Sequence, residues 1–173
     1  MGTAEDRRTR LLRLLKEQGS PLSGTALAKA LGVTRQIIVQ DIALIRAENH
    51  NILSTNKGYL YRDASAENTQ PKRVIHVRHS TDQVLDEFLT VLDLGGTVLD
   101  VAVEHEIYGQ IRADLLIETP QDARDFVDRL SRCRDNPLKV LTDDCHYHTI
   151  TAPAEKLLDL IEEALRAKGM LLE

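Results

Sequence analysis

Two kinds of hydrophobic spacing divide the chain. In its first third, apolar residues recur at helical intervals: Leu11, Leu14 and Leu15 stand at i, i+3 and i+4 and predict a helix over residues 5–18. Gly19 stops this helix, and Ser20-Pro21-Leu22 forms a loop. Ser23 caps a short helix from Gly24 to Leu31, with Leu27 and Leu31 on one face, and Gly32 supplies a sharp turn. Thr34 caps a third helix reaching about Asn49, with Ile38, Ile42 and Ile45 as its buried stripe and Arg35, Gln36 and Gln40 facing elsewhere. Next, Ile52–Thr55 and Tyr59–Arg62 flank Asn56-Lys57-Gly58, a hairpin with glycine in its turn.

From Arg73 onward the pattern alternates strand and helix. Val74–His79 reads as a strand, and Ser80 with Gln83 has capping-box spacing for a helix to about Leu94. Gly95-Gly96 ends that helix, and Thr97–His105 is a strand with Leu99, Val101, Val103 and His105 on its inward face. A further strand, Gln110–Glu118, turns Ile111, Ala113, Leu115 and Ile117 inward and Arg112 and Asp114 outward. Thr119-Pro120 opens a helix to Cys133; a strand region, Leu138–Thr151, broken near Asp143-Asp144, precedes a last helix, Ala154–Lys168. The order β-α-β-β-α-β-α predicts an open sandwich with helices on one face of a largely antiparallel sheet, so the whole chain belongs to the α+β class.

Charge sharpens the division. The formal net charge of -5 splits into ten basic against five acidic residues in 1–62, and 12 against 22 in the remainder. A basic segment joined to an acidic one suggests that only the first meets a polyanion. The polar stretch Asp63–Pro71 separates them, giving domains over 1–62 and 73–173 with a linker at 63–72. With 42% hydrophobic and 28% charged residues the chain is ordinary globular material. No apolar run approaches the ~20 residues of a membrane span, and the start of the chain lacks a signal peptide's apolar core. Cys133 and Cys145 make no disulfide framework, so the expectation is a soluble, cytoplasmic protein without a membrane partner.

Two short helices across a glycine turn, the second polar on its outer face and followed by a hairpin, predict a winged helix-turn-helix that reads double-stranded DNA. Arginine can pair with guanine and glutamine with adenine through two hydrogen bonds. Thr34, Arg35, Gln36 and Gln40 are therefore the candidate contacts on the third helix. Lys57 in the wing would meet phosphate.

The second domain holds five of the six histidines. In His146-Tyr147-His148 the two imidazoles share a strand face and can converge on one ion, while Cys145 and Tyr147 point the other way. Glu87, at i+3 from Val84 and i-4 from Val91, borders the stripe that packs on the sheet, where a carboxylate needs a partner. His79 could close the same site, whereas His76 has the opposite strand parity. His105 reads first as a core histidine bonded to backbone, and secondarily, with Tyr108, as part of an effector pocket. Three imidazoles and a carboxylate suit a divalent transition metal such as Zn, Ni, Fe or Co. Such a site could sense a ligand or, less favoured, hydrolyse one. No phosphate loop and no Ser/His/Asp grouping accompany it, so an attached DNA-binding domain favours sensing over an enzyme.

These residues resemble the niacin-responsive (NiaR-like) repressors of bacteria, a winged helix followed by a 3H domain. The resemblance rests on Val33–Arg46, Val77-Arg-His-Ser80 with Glu87, Gly95–Val101, His105-Glu-Ile-Tyr-Gly109 and His146-Tyr-His148. The winged-helix segment is also similar to that of biotin-ligase repressors, and the second domain's element order to the histidine-containing phosphocarrier fold. The family resemblance implies nickel or zinc on His79, Glu87, His146 and His148, nicotinic acid as corepressor, and control of niacin uptake and NAD synthesis genes. The family would carry a proline after the histidine where this chain has His105-Glu106. The expectation is a homodimer addressing half-sites ~34 Å apart. A repressor answering to the metal alone is the alternative.

Overall fold

A computed structural model describes residues 3–48, 50–63 and 69–173, in two compact units, 1–68 and 69–173. The division falls inside the predicted linker, of which residues 64–68 lie outside the described residues, as does Asn49, the predicted end of the third helix.

The first unit contains α1 (Ala4–Gln18), α2 (Gly24–Leu31), α3 (Arg35–Ala47), β1 (Ile52–Thr55) and β2 (Gly58–Tyr61). The caps act as local chemistry predicts: the Thr3, Ser23 and Thr34 side chains accept from the amides of Asp6, Ala26 and Ile37, and Gly19 and Gly32 take left-handed backbone at the helix ends. Leu11, Leu15, Leu27, Ile38, Ile42, Ile45 and Ile52 form the core. Arg46 ties the wing to α3, donating to the Ile52 carbonyl at 2.7 Å and Ser54 Oγ at 2.6 Å.

A bidentate ion pair crosses from α1 to α3, with Arg7 Nε 2.6 Å from Asp41 Oδ2 and Nη2 3.1 Å from Oδ1. The carboxylate is buried, whereas the guanidinium retains a quarter of its exposure. Removal of either partner should therefore be unequal in cost. Arg7→Ala strands a buried carboxylate and should be the more destabilising of the two. Asp41→Ala leaves an arginine that can rehydrate and should cost less. Hydrogen exchange at α1 and α3 would measure both, and equal losses would contradict this account.

The second unit contains β3 (Lys72–Arg78), α4 (Val84–Asp93), β4 (Thr97–His105), β5 (Gly109–Ile117), α5 (Pro120–Arg132), β6 (Cys145–Thr151) and α6 (Glu155–Ala167). The strands form an antiparallel sheet in the order β3-β6-β4-β5. Ile75, Val77, Val98, Ile117 and Ile150 meet Val84, Phe88 and Val91 of α4, Ala123 of α5 and Leu158, Ile161 and Leu165 of α6 in one core. The predicted α+β open sandwich is the observed one. Residues 170–172 bond along β3, with Arg78 N donating to Met170 O and Leu172 N to His76 O, which covers part of an edge otherwise open to pairing.

Two local expectations are corrected. Leu138–Thr142 is a 3₁₀ turn and not the first half of a strand; Asp143 and Asp144, both with positive φ, then redirect the chain into β6. The strict alternation predicted for Thr97–His105 also fails, because the pairing register slips on both sides of β4. Against β5 the slip lies between Val98 and Asp100, beside Leu116 at φ 58°, and against β6 it lies between Val98 and Ala102. Val98 and Val101 therefore both reach the helix-covered side, while Asp100 is buried.

Candidate metal centre and nucleic-acid interface

The β3–β6 register places Val77 opposite His146 and Ile75 opposite His148, so both imidazoles join the apolar face that α4 covers. His79 follows the end of β3, and Glu87 projects from the first turn of α4. All four side chains are buried. Their polar atoms converge: Glu87 Oε2 lies 2.7 Å from His79 Nε2, 3.4 Å from His148 Nε2 and 3.9 Å from His146 Nε2. Ligand atoms of His79, Glu87 and His146 all fall within 4.8 Å of one another; His148 stands beside this group.

The other ring nitrogens fix the chemistry. His79 Nδ1 donates to Ser80 O at 2.8 Å, His146 Nδ1 to Asp144 O at 2.9 Å and His148 Nδ1 to Asp100 O at 2.5 Å. A ring whose Nδ1–H faces a backbone carbonyl presents its Nε2 lone pair, the arrangement typical of metal-bound histidine. The Asp100 carbonyl is available for His148 because the slipped register removes it from a regular ladder. Asp100 is held in turn, its Oδ1 accepting from Thr149 N at 2.9 Å and its Oδ2 pairing with Arg112.

Without a cation the cluster is incompletely satisfied. Glu87 Oε1 and His148 Nε2 are buried and have no hydrogen-bond partner among the described residues. Burial pushes the Glu87 carboxyl up, but the charge of His148 and the other two imidazoles facing it outweigh this and hold the group well below the usual range. Burial likewise opposes protonation of His148, yet Glu87 raises it overall; at His146 burial prevails and the shift is downward. Opposed shifts of this kind mark imidazoles competing for one carboxylate. The donor set of three imidazole nitrogens and one carboxylate fits a divalent transition ion.

A cavity of about 280 Å³ opens beside this cluster. Its walls are largely apolar, from Phe88 of α4, Val101 of β4, Leu115 of β5 and Phe126 of α5, with His146 and His148 exposed to it. The Phe88 ring makes edge contacts with Phe126 and His148, at centroid distances of 5.4 and 5.7 Å.

His105 and Tyr108 are not among the lining residues of this cavity. They sit at the β4–β5 hairpin tip, where His105 Nδ1 accepts from the amides of Ile107 and Tyr108 and the Tyr108 side chain is exposed. His105 lies four residues beyond Val101, about 13 Å along the strand. His76 is on the other face of the sheet, stacked on Tyr147 at 4.3 Å. Sequence reasoning missed Lys139, which lies within the region read as a strand and proves to be buried at the cavity wall.

On α3, Thr34, Arg35, Gln36, Val39, Gln40 and Ala43 are all exposed. Thr34 is occupied as the helix cap, and Arg35 lies close over Gly24 at the start of α2. Val39 and Ala43 were not anticipated; apolar groups on this face can meet thymine methyls. Lys57 is half-buried in the wing turn.

These features define a two-part regulator, with a DNA-reading unit and a second unit built around a ligand-competent cluster. Comparison with known proteins gives the family. Residues 7–60 match an HTH domain model and residues 72–173 a 3H domain model. The chain is 40% identical over 169 residues to the transcription repressor NadR of Bacillus subtilis (strain 168), covering 97% of this chain and 94% of that protein. It is 35% identical over 169 residues to the probable transcription repressor NiaR of Thermotoga maritima, covering 98% and 95%. The chain belongs to this family of 3H-domain DNA-binding transcription repressors. Among the described residues, no helix is long and apolar enough to cross a membrane.

Proposed function

We propose that this chain is a cytoplasmic, homodimeric repressor that binds operator DNA in response to nicotinic acid and controls genes of niacin uptake and NAD synthesis. The observation that carries the sensor reading is the convergence of three Nδ1-anchored imidazoles on the buried Glu87 carboxylate, beside a cavity, in a chain that also bears a winged helix. His79, Glu87, His146 and His148 would hold the ion, nickel or zinc. Bound there, a divalent ion would supply the positive charge the cluster lacks and a Lewis-acidic centre for an anionic effector. Gln36, Gln40 and Arg35 would read base edges, with Thr34 and Lys57 near the phosphates. No catalytic role is assigned to any residue.

If nicotinate tightens DNA binding, operator DNA must tighten nicotinate binding by the same factor. The test is binding of metal-loaded protein to a duplex selected from a random library, with and without nicotinic acid, repeated after chelation. We expect nicotinate to strengthen binding and chelation to abolish that effect. A response to the metal alone would make the chain a metalloregulator without an organic effector. Turnover of an ester or amide would return the enzyme reading.

A further inference from the structure

Resting on the metal reading above, we infer that Asp100 is the positioning residue of His148 and that its carboxylate thereby sets how tightly the cluster holds an ion. The three imidazoles differ in how their Nδ1–H groups are anchored. Ser80 O and Asp144 O lie one and two residues from His79 and His146, so those anchors come with the ligand's own segment. His148 bonds instead to Asp100 O, 48 residues away on β4. Its Nε2 has no hydrogen-bond partner among the described residues. The orientation of this ring therefore depends on where β4 places one carbonyl.

That carbonyl lies in an irregular stretch. Between the pairs Val98–Ile150 and Ala102–Tyr147, Leu99, Asp100 and Val101 of β4 stand against only His148 and Thr149 of β6. An extra residue interrupts the ladder and leaves backbone groups in need of other partners. The Asp100 side chain serves one of them: its Oδ1 accepts from Thr149 N at 2.9 Å, while its main-chain oxygen accepts from the His148 ring at 2.5 Å. One residue thus clips two consecutive residues of β6 where regular pairing fails. On the other side Oδ2 lies 2.5 Å from Arg112 Nη2 of β5. The carboxylate is 2% exposed and the guanidinium 53%, so the pair is buried at its negative end. Burying a carboxylate is costly unless it is bonded and paired. Here one oxygen is bonded and the other ion-paired, to the two strands that flank β4.

The test compares Asp100→Ala, Asp100→Glu and Asp100→Asn in the full-length protein. Zinc affinity is measured by competition with a chromophoric chelator. The tautomer of His148 is read from imidazole nitrogen NMR shifts of the metal-free protein at alkaline pH. Asp100→Ala should weaken zinc binding by roughly ten- to a hundredfold, the scale for an outer contact of a metal-bound histidine. It should also replace the single Nδ1–H tautomer with a mixture. Asp100→Glu keeps the charge but misplaces the oxygen by one methylene, and should behave like alanine. Asp100→Asn loses the charge but keeps an oxygen within reach of Thr149 N, and should recover most of the affinity and the single tautomer. A merely structural role would lower the melting temperature without moving the tautomer. Wild-type zinc affinity and an unchanged tautomer in both Asp100→Ala and Asp100→Glu would overturn this inference while leaving the proposed function intact. Zinc binding that follows the charge, strong with glutamate and weak with asparagine, would overturn it too. Failure of the wild type to bind zinc or nickel would remove the metal reading, and the tautomer of His148 would then decide the positioning role alone.

Discussion

If the proposed metal site and nicotinate response hold, His146→Ala is expected to reduce bound metal from one ion per chain to below about a tenth, and with it to eliminate nicotinate-dependent DNA binding. The imidazole lies between Asp144, which fixes its tautomer, and Glu87, which it faces at 3.9 Å. Its removal takes away one of the three candidate ligands that fall within 4.8 Å of one another and enlarges an existing cavity. Outer contacts of a ligand alone are worth ten- to a hundredfold in metal affinity, so loss of the ligand itself should exceed that. The first unit has its own core and should keep its helices and basal DNA affinity. His76→Ala is the matched control, since His76 stacks on Tyr147 across the sheet from the cluster and should leave metal content unchanged. Metal analysis after desalting decides the matter; a fully loaded His146→Ala protein would remove this site from the account.

Gly58→Ala should cost at least tenfold in DNA affinity while leaving metal content at the wild-type level. Gly58 has φ +134°, and a Cβ there would stand 2.3 Å from Leu22 O and 2.8 Å from Ser23 N, both backbone atoms that cannot turn aside. The adjacent Tyr59 exchanges two backbone hydrogen bonds with Leu22, at 2.8 and 2.9 Å, and these pin the wing to the loop before α2. The substitution therefore strains the backbone by about 1–3 kcal/mol and pushes β2 off its anchor. In a unit of this size that is a large share of the stability available. Fluorescence anisotropy with the selected duplex, alongside circular dichroism to follow helix content, separates a displaced wing from global unfolding. Wild-type affinity in this variant would mean that the wing takes no part in binding.

The first unit was largely legible because its signals are local. Thr34 before an isoleucine stripe, Gly32 between two helices and Gly58 in a hairpin each state a backbone conformation within a few residues of themselves. The four clustered polar residues of the second unit were legible for a related reason. Strand parity alone sets His146 and His148 on one face and Tyr147 on the other, and helical spacing alone sets Glu87 beside Val84 and Val91.

What local pattern could not give was distance along and across the sheet. His105 shares an alternation with Val101, yet it lies at the hairpin tip because only the packing of helices decides which part of a strand is roofed. The register slips around Asp100 depend on two neighbouring strands at once, and they free the carbonyl that anchors His148. Lys139 drew no notice within the region read as a strand; its burial follows from a 3₁₀ turn laid against segments some 60 residues away in sequence, where it meets His79 O. The sequence by itself determined which residues can share a face, since period 2 and period 3.6 are properties of the backbone. The tertiary structure alone decided which faces meet, how large a space they leave and which cation is trapped at its edge, because those depend on contacts between elements that carry no imprint of one another in local spacing.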